Sequence, residues 1–470
     1  MDRSLKEKQL FEETPVFNAI IRLALPSVMG QIILVIYNMA DTFFVGLTGS
    51  DTMLTAVTVC MPAFMFLSAI SNLFGVGGAS VIARALGKGK EARARYASAY
   101  SFWACVAVTL LYCAGVFAFC DSFVDLLGGI HADVHAFSVD YLIIVVVIAG
   151  ICTTLNTLFS HLLRAEGKSM LASVGIILGG VLNIALDPLF MFVILPKGQE
   201  VRGAALATAI SNTLAFLYYV VVILFLRKHL HLSVRPTKEM FRDRIPKRIF
   251  LVGLPACLMT LCENISYAIL DKLMSGYGVA AQAGIGVAKK INMLAHCIVR
   301  GMTQGVLPLI AYNYASGRRT RMKAIVYLSC AISVGISIVC AIVNVAFSHN
   351  LVSIFIQDAG DSHFLGSAFL QILCIGAPFS AFAYSVISFF QATGRGGRSL
   401  VLALLRKGVL DIPLMFAFNA LLPVYGIVWA TPTADAFCCF TSVLLFVHFT
   451  KRHGEDKPIV RKDPDEEVAS

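Results

Sequence analysis

Four carboxylates interrupt stretches of sequence that are otherwise apolar. They are Asp41 in YNMADTFFVG, Asp187 in NIALDPLF, Glu263 in MTLCENISYAIL and Asp411 in GVLDIPL. A charged group in hydrocarbon costs about 2.5–3.5 kcal/mol on insertion scales, so each is a functional candidate by default. Asp187 follows Asn183 by four residues, which puts both side chains on one face of a helix. With a rise of about 1.5 Å per residue, Asp187 falls roughly 10 Å short of the end of its apolar stretch. Asp41 lies near the same end of its own stretch, and Thr208 is an early residue of the stretch that returns. Asp41, Asn183, Asp187 and Thr208 can therefore meet in one layer. Two carboxylates in a desolvated site do not readily carry two charges, so the pair is suited to exchanging a proton. Together with the hydroxyl and amide oxygens they equally form an oxygen-ligand Na⁺ site. The bland alternative is a polar network that only staples three helices.

Other residues carry weaker signals. Pro26 lies about a third of the way along the first apolar stretch and removes one helical hydrogen bond there. It is either a hinge that couples Asp41 to helix bending or a static kink. Glu263 lies eight residues after Pro255 and has no basic partner close in sequence. It is a candidate second ion or substrate site, or an internally hydrogen-bonded protonated acid. Asp411 has Arg406 and Lys407 just upstream, which points to a structural salt bridge, and Asp271 and Lys272 sit near a helix end where they can reach the interface. His131 and His135 have helical i,i+4 spacing, a slight metal signal, and His296 reads as a core histidine. The sequence holds no GxSxG, HExxH or GxxxxGK motif, so neither hydrolysis nor direct ATP coupling is expected. The chain reads as no enzyme, without a cofactor beyond a coupling H⁺ or Na⁺.

Composition says what must position these groups. Of 470 residues, 58% are hydrophobic and 14% charged, against roughly 25% charged in soluble domains. Mean hydropathy is +0.79. Such a chain covers a water-facing surface poorly, which excludes a soluble enzyme, a disordered protein and a nucleic-acid binder. Twelve apolar stretches are each about as long as the roughly 20 residues that cross a bilayer. They fall near 17–45, 53–84, 97–119, 137–162, 169–194 and 203–226, then 248–275, 280–312, 324–347, 365–391, 399–422 and 426–450. They are continuously apolar, not alternating, so helices are expected and a β-barrel is not. The 13 cysteines are scattered through these stretches in no zinc or disulfide pattern, and the vicinal Cys438 and Cys439 read as packing residues. No cleavable signal peptide is evident at the polar N-terminal residues 1–16.

The net charge of +10 is distributed by topology. Alternate connections hold 29 of the Lys and Arg residues, and the intervening ones hold two, Lys197 and Arg202. By the positive-inside rule both termini are cytoplasmic. Repeats organise the same stretches. Pro26 matches Pro255 at 229 residues, SVIARALGKG matches PLIAYNYASG at 228, and Gly167 of RAEGKS matches Gly394 of ATGRGG at 227. GVLNI at 180 matches GVLDI at 408, and GAALAT at 203 matches GIVWAT at 426. An all-α membrane protein follows, with two parallel six-helix bundles. The expected divisions are a cytoplasmic segment 1–16, lobes 17–226 and 248–450, a basic linker 227–247, and a polar, disordered tail 451–470. Two halves with a cleft between them suit alternating access. The 33 Phe, 15 Met and 14 Tyr residues are material for an adaptable cavity as well as for a lipid-facing surface.

In order and spacing, YNMADTFFVGLTG, RALGKGK, LRAEGKSM, NIALDPLF, GAALAT, PLIAYNYASG and FQATGRG resemble the multidrug and toxic compound extrusion (MATE) transporters across about residues 15–450. The resemblance implies a twelve-helix, V-shaped fold of the multidrug/oligosaccharidyl-lipid/polysaccharide flippase superfamily. It implies export of organic cations or other amphipathic compounds in exchange for H⁺ or Na⁺, from the cell (inner) membrane. The family's first-helix carboxylate falls on Asp41 and its bending proline on Pro26. The family's other site positions fall on Asn183, Asp187 and Thr208, as in the branch named for DNA-damage-inducible proteins. Glu263 resembles a carboxylate of the sodium-coupled branch. A monomer is expected, with membrane lipids and a small cationic or amphipathic substrate as partners. A lipid-linked saccharide flippase is the alternative; it would want a cationic cavity, whereas the candidate cavity residues here are acidic. A structural or signalling membrane protein would want large soluble parts that this chain lacks.

Overall fold

The computed structural model describes residues 3–127, 132–356 and 360–453. Its helices in chain order are α1 (Arg3–Glu12), α2 (Val16–Gly46), α3 (Asp51–Gly87), α4 (Glu91–Ala118), α5 (Cys120–Leu127), α6 (Ala132–Leu142), α7 (Gly150–Ala165), α8 (Ser169–Leu189) and α9 (Glu200–Leu226). After the linker come α10 (Ile245–Ser275), α11 (Val279–Ala315), α12 (Arg319–Ala346), α13 (Ser348–Ser353), α14 (Asp361–Ala392), α15 (Gly396–Leu404), α16 (Asp411–Leu421) and α17 (Tyr425–His453). Among the described residues, ten helices are long and apolar enough to cross a membrane. Two more spans are interrupted. π-helical turns at Ile143–Ile148 and Leu405–Val409 join α6 to α7 and α15 to α16, where the sequence reads as single helices. These two interrupted segments cover the stretches expected near 137–162 and 399–422.

The interruptions have local causes. The second falls on LRKGV, where Arg406 and Lys407 are turned inward and a glycine follows. A third π-turn, Phe190–Ile194, follows Pro188, whose ring nitrogen has no proton for the helical ladder. Pro26 behaves otherwise: α2 runs unbroken through it, and the Ser27 hydroxyl donates to the Leu23 carbonyl one turn back (3.2 Å).

Core packing differs between the two ends of the molecule. On the side away from the Lys- and Arg-rich connections, each bundle has its own core. One is built around Val57, Leu67, Val145 and Ala204, the other around Leu270, Ile285, Phe369 and Ile427. On the basic side one core is shared, joining Leu23, Val28 and Ala83 to Met302, Ile310 and Phe389. Close approach of backbones permits this. A Cβ on Gly301 or Gly305 of α11 would overlap the backbone of Val28 or Ala24 in α2. Likewise a Cβ on Gly253 of α10 would overlap the Leu73 backbone in α3, and one on Gly77 of α3 would overlap that of Ile249. The bundles thus meet on the basic side and separate on the other, a V.

Helix α2 belongs to both arms. Its first half lies on α11 through Ala24 and Val28, while Gly30, and then Ile33 and Tyr37 against Gly180, pack it on α8 of its own bundle. Pro26 falls between Ala24 and Val28, within the half that lies on α11.

Two features go beyond the sequence reading. Within the expected segment 1–16, α1 docks across both bundles. Phe11 stacks on Tyr312 (4.9 Å between centroids) and covers Gly167, and Arg318 bonds Glu12 (2.6 Å). Arg164, counted above among the cations of a connection, is inside the protein and 1% exposed. The charge alternation does not depend on it. The polar tail, from residue 454, and His131 lie outside the described residues.

Candidate functional site

The layer expected in the first bundle is assembled. Asp41 of α2, Asn183 and Asp187 of α8 and Thr208 of α9 are all buried. The Asn183 amide donates to Asp187 Oδ1 (3.4 Å) and to Thr208 Oγ1 (3.2 Å). The i,i+4 spacing on α8 does this locally, and α9, returning antiparallel, supplies Thr208 at the matching height. Asp41 and Asp187 are within electrostatic range of each other, and Tyr37 and Tyr141 are within range of both. Nothing in the spacing points to Tyr141; Tyr37 is signalled by its place four residues before Asp41.

Three acceptor oxygens in this layer are buried without a partner: Asp41 Oδ1, Asn183 Oδ1 and Asp187 Oδ2. A buried acceptor left unmatched is costly, so the layer calls for a proton or a cation. The second bundle holds the repeat-related site, and there the demand is met from within. Asp411, the counterpart of Asn183, accepts from Thr431, the counterpart of Thr208 (2.9 Å). It also accepts from Ser266 (2.5 Å) and from the Lys407 ammonium (2.9 Å). Lys407 corresponds to Gly179 in the first bundle, which brings no cation. The salt bridge expected at Asp411 is therefore present, with Lys407, while Arg406 pairs with Asp435 (2.7 Å), an acid the sequence reading did not single out.

Glu263 is paired across helices. It has a basic partner, Arg300 of α11, which donates to it, and the Tyr384 hydroxyl of α14 donates to its other oxygen (3.3 Å). Arg300 is 37 residues away in sequence, beyond any helical spacing, though an arginine inside HCIVRGMTQG is itself a signal. His296 contacts the Ser380 hydroxyl (3.4 Å), as a satisfied core histidine does. His135 sits by Asp125 (3.6 Å), and among the described residues no cluster of three metal-ligating side chains occurs.

Glu263 and Arg300 face a cavity between the bundles. Asn72 of α3 and His161 and Arg164 of α7 line it from one side, and Gln304 of α11 and Gln391 of α14 from the other. Its charged residues are two arginines and one glutamate. The expectation of an acidic cavity is corrected here: the unpaired carboxylates sit in the first bundle, above this cavity, and Glu263 is neutralised by Arg300. Pro26 lies at the bundle contact and not in either site.

Fold and site together define a class: a multi-pass membrane protein of two six-helix repeats, with a cation-demanding polar layer in one and a cavity between them. The sequence model of the MatE family matches residues 26–189 and again 255–417. Its two matches start 229 residues apart and end 228 apart, the spacing of the internal repeat. The chain belongs to the MatE family. It is 31% identical over 462 residues to multidrug export protein MepA of Staphylococcus saprophyticus, across 96% of this chain and 99% of that one. To MepA of Staphylococcus aureus strain MRSA252 it is 30% identical over 449 residues, across 94% and 96%. Its fold matches an outward-facing multidrug resistance MATE family transporter of the MOP superfamily at a TM-score of 0.88, with 22% identity, over 96% of this chain and 99% of the other.

Proposed function

We propose that the protein exports small amphipathic or cationic compounds in exchange for H⁺ or Na⁺ by alternating access. The observation that carries this reading is the contrast between the repeats. Where the second bundle satisfies Asp411 with Lys407, the first leaves Asp41, Asn183 and Asp187 with unmatched oxygens. A site that lacks a built-in cation and demands one is suited to an ion that comes and goes. A proton on one aspartate turns an acceptor into a donor, and a Na⁺ accepts oxygens from Asp41, Asn183, Asp187 and Thr208.

Pro26 supports the coupling. It stands in the half of α2 that lies on α11, about one turn before Gly30 meets α8, so bending there would move the Asp41 half of the helix relative to the second bundle. Glu263, with Arg300 and Tyr384, is the second polar site and faces the cavity in which a substrate would sit. The relatives are multidrug export proteins, which supports a small-molecule cargo for this chain. The charge alternation supports a cell-membrane orientation with both termini in the cytoplasm, so the V would open outward, and the complete two-repeat unit supports action as a monomer among membrane lipids.

Accumulation of a fluorescent organic cation in bacteria that express the protein tests this. Cells making the wild-type chain should hold less dye than cells making Asp187→Asn at equal membrane abundance, and the difference should vanish when the ion gradients are dissipated. Equal accumulation in both would refute the coupling role of this layer.

A further inference from the structure

Arg164 is the buried charge that the exporter reading leaves unused. It lines the central cavity and is 1% exposed, yet among the described residues no carboxylate pairs with it. Its Nη1 is held by Gln304 Oε1 (3.3 Å) and Ser160 Oγ (3.4 Å). Gln304 in turn accepts from Gln31 of α2 (3.3 Å), so the guanidinium is fixed by residues of both bundles. The remaining nitrogens, Nε and Nη2, have no partner. Those two form the side edge of the guanidinium fork, the edge that receives a carboxylate with two parallel bonds.

A second observation points to the same ligand. In the repeat, where Gly167 matches Gly394, Arg164 corresponds to Gln391, and His161 to Ser388. All four line the cavity from opposite sides. Gln391 is 5% exposed, and its Nε2 donor is also without a partner. Unmatched groups in this cavity are therefore donors, the reverse of the unmatched acceptors around Asp41. The remaining acid of the cavity, Glu263, is committed to Arg300. Arg84, Arg319, Arg398 and Arg406 also keep an unpartnered nitrogen, but none of them lines the cavity.

We propose that Arg164, with Gln391 across the cavity, forms a subsite for the carboxylate of an amphipathic substrate. Gln304 is a positioning residue: it orients the fork and ties it to α2 and α11.

The proposal rests on the exporter reading, and its test separates the two. The probes are a cationic xanthene dye with a free carboxyl group and the methyl ester of the same dye. Efflux of each is measured from proteoliposomes of wild type, Arg164→Gln and Gln391→Ala. Arg164→Gln should raise KM for the carboxylate dye about tenfold or more, the loss of one charge-assisted contact, and leave KM for the ester within about twofold. Gln391→Ala should shift the same dye in the same direction by a smaller factor. Equal losses for both dyes, or no loss for either, would overturn the subsite. If Arg164→Gln does not fold, fluorescence anisotropy with the wild-type protein decides. Binding of the free carboxylate at least as tight as that of the ester is expected, and binding of the ester alone would overturn the proposal. Failure of wild type to transport either dye counts against the exporter reading, and the anisotropy comparison still tests the subsite.

Discussion

Asn183 and Asp411 stand at the same place in the two repeats, and each meets the threonine hydroxyl that its own repeat supplies, Thr208 and Thr431. One side chain is an amide and the other an acid, and only the acid has a lysine beside it. The same backbone thus carries a site filled from within in one bundle and a site with unmatched acceptor oxygens in the other.

Removing the internal cation should expose that difference. Lys407 and Asp411 are both buried, and breaking a buried pair by deleting one partner typically costs about 3–5 kcal/mol. Lys407→Met should lower the unfolding temperature in detergent sharply, and adding Asp411→Asn should restore most of it. A single variant as stable as wild type would show that Asp411 has another counter-charge.

Pro26 makes an opposed prediction for stability and turnover. Pro26→Ala restores a helical hydrogen bond in α2, where an interior proline costs about 3 kcal/mol. As a hinge, Pro26 gives a variant of equal or higher thermal stability that transports slowly. Unchanged turnover in efflux assays would make it a static kink.

The seal on the basic side depends on missing side chains. At Gly253 even one methyl group would overlap the Leu73 backbone. Gly253→Ala should therefore hold the bundles apart on that side. It should increase thiol labelling of Cys257, one turn further along α10, by a maleimide supplied from the basic side. Labelling at the wild-type rate would mean that the helices reseat without this contact.

A pH-dependent tie is built into the linker. His231 lies near Glu91 (3.4 Å) and the buried Glu166 (3.9 Å). The neighbouring Glu166 carboxylate raises the imidazole pKa, against burial and the repulsion of Arg95, while burial raises that of Glu166. A raised folded-state pKa gives stability that is full below the unfolded value and lost as pH climbs through the folded one. Replacing His231 with Gln should therefore lower the unfolding temperature more near pH 6 than near pH 8, on either side of histidine's usual range of about 6.5. An equal effect at both would show that the contact is not ionic.

How far these features can be read from sequence follows from their range. The spans follow from apolar runs, and the Asn183–Asp187 pair from helical spacing. Thr208 was placed by its height on the returning stretch, and the repeat supplies the Thr431 comparison. Contacts between helices far apart in sequence were not legible: Glu263 with Arg300, Arg406 with Asp435, and α1 with Tyr312 and Arg318 all need the packed bundles. Arg164 shows the limit most plainly. Its position near a span end makes it look like a loop cation, and only the burial of the last turn of α7 turns it toward the cavity. The π-turn at Leu405–Val409 has no periodicity signal, since it shifts an otherwise continuous apolar run by one residue.

The central claim is that Asp41 and its neighbours bind the ion that drives transport. Efflux of a fluorescent organic cation from proteoliposomes, under a pH gradient and a Na⁺ gradient imposed separately, tests it most directly, with wild type and Asp41→Asn compared. Wild-type efflux should depend on one of the gradients and be absent in the variant. Gradient-driven efflux that persists in folded Asp41→Asn would contradict it.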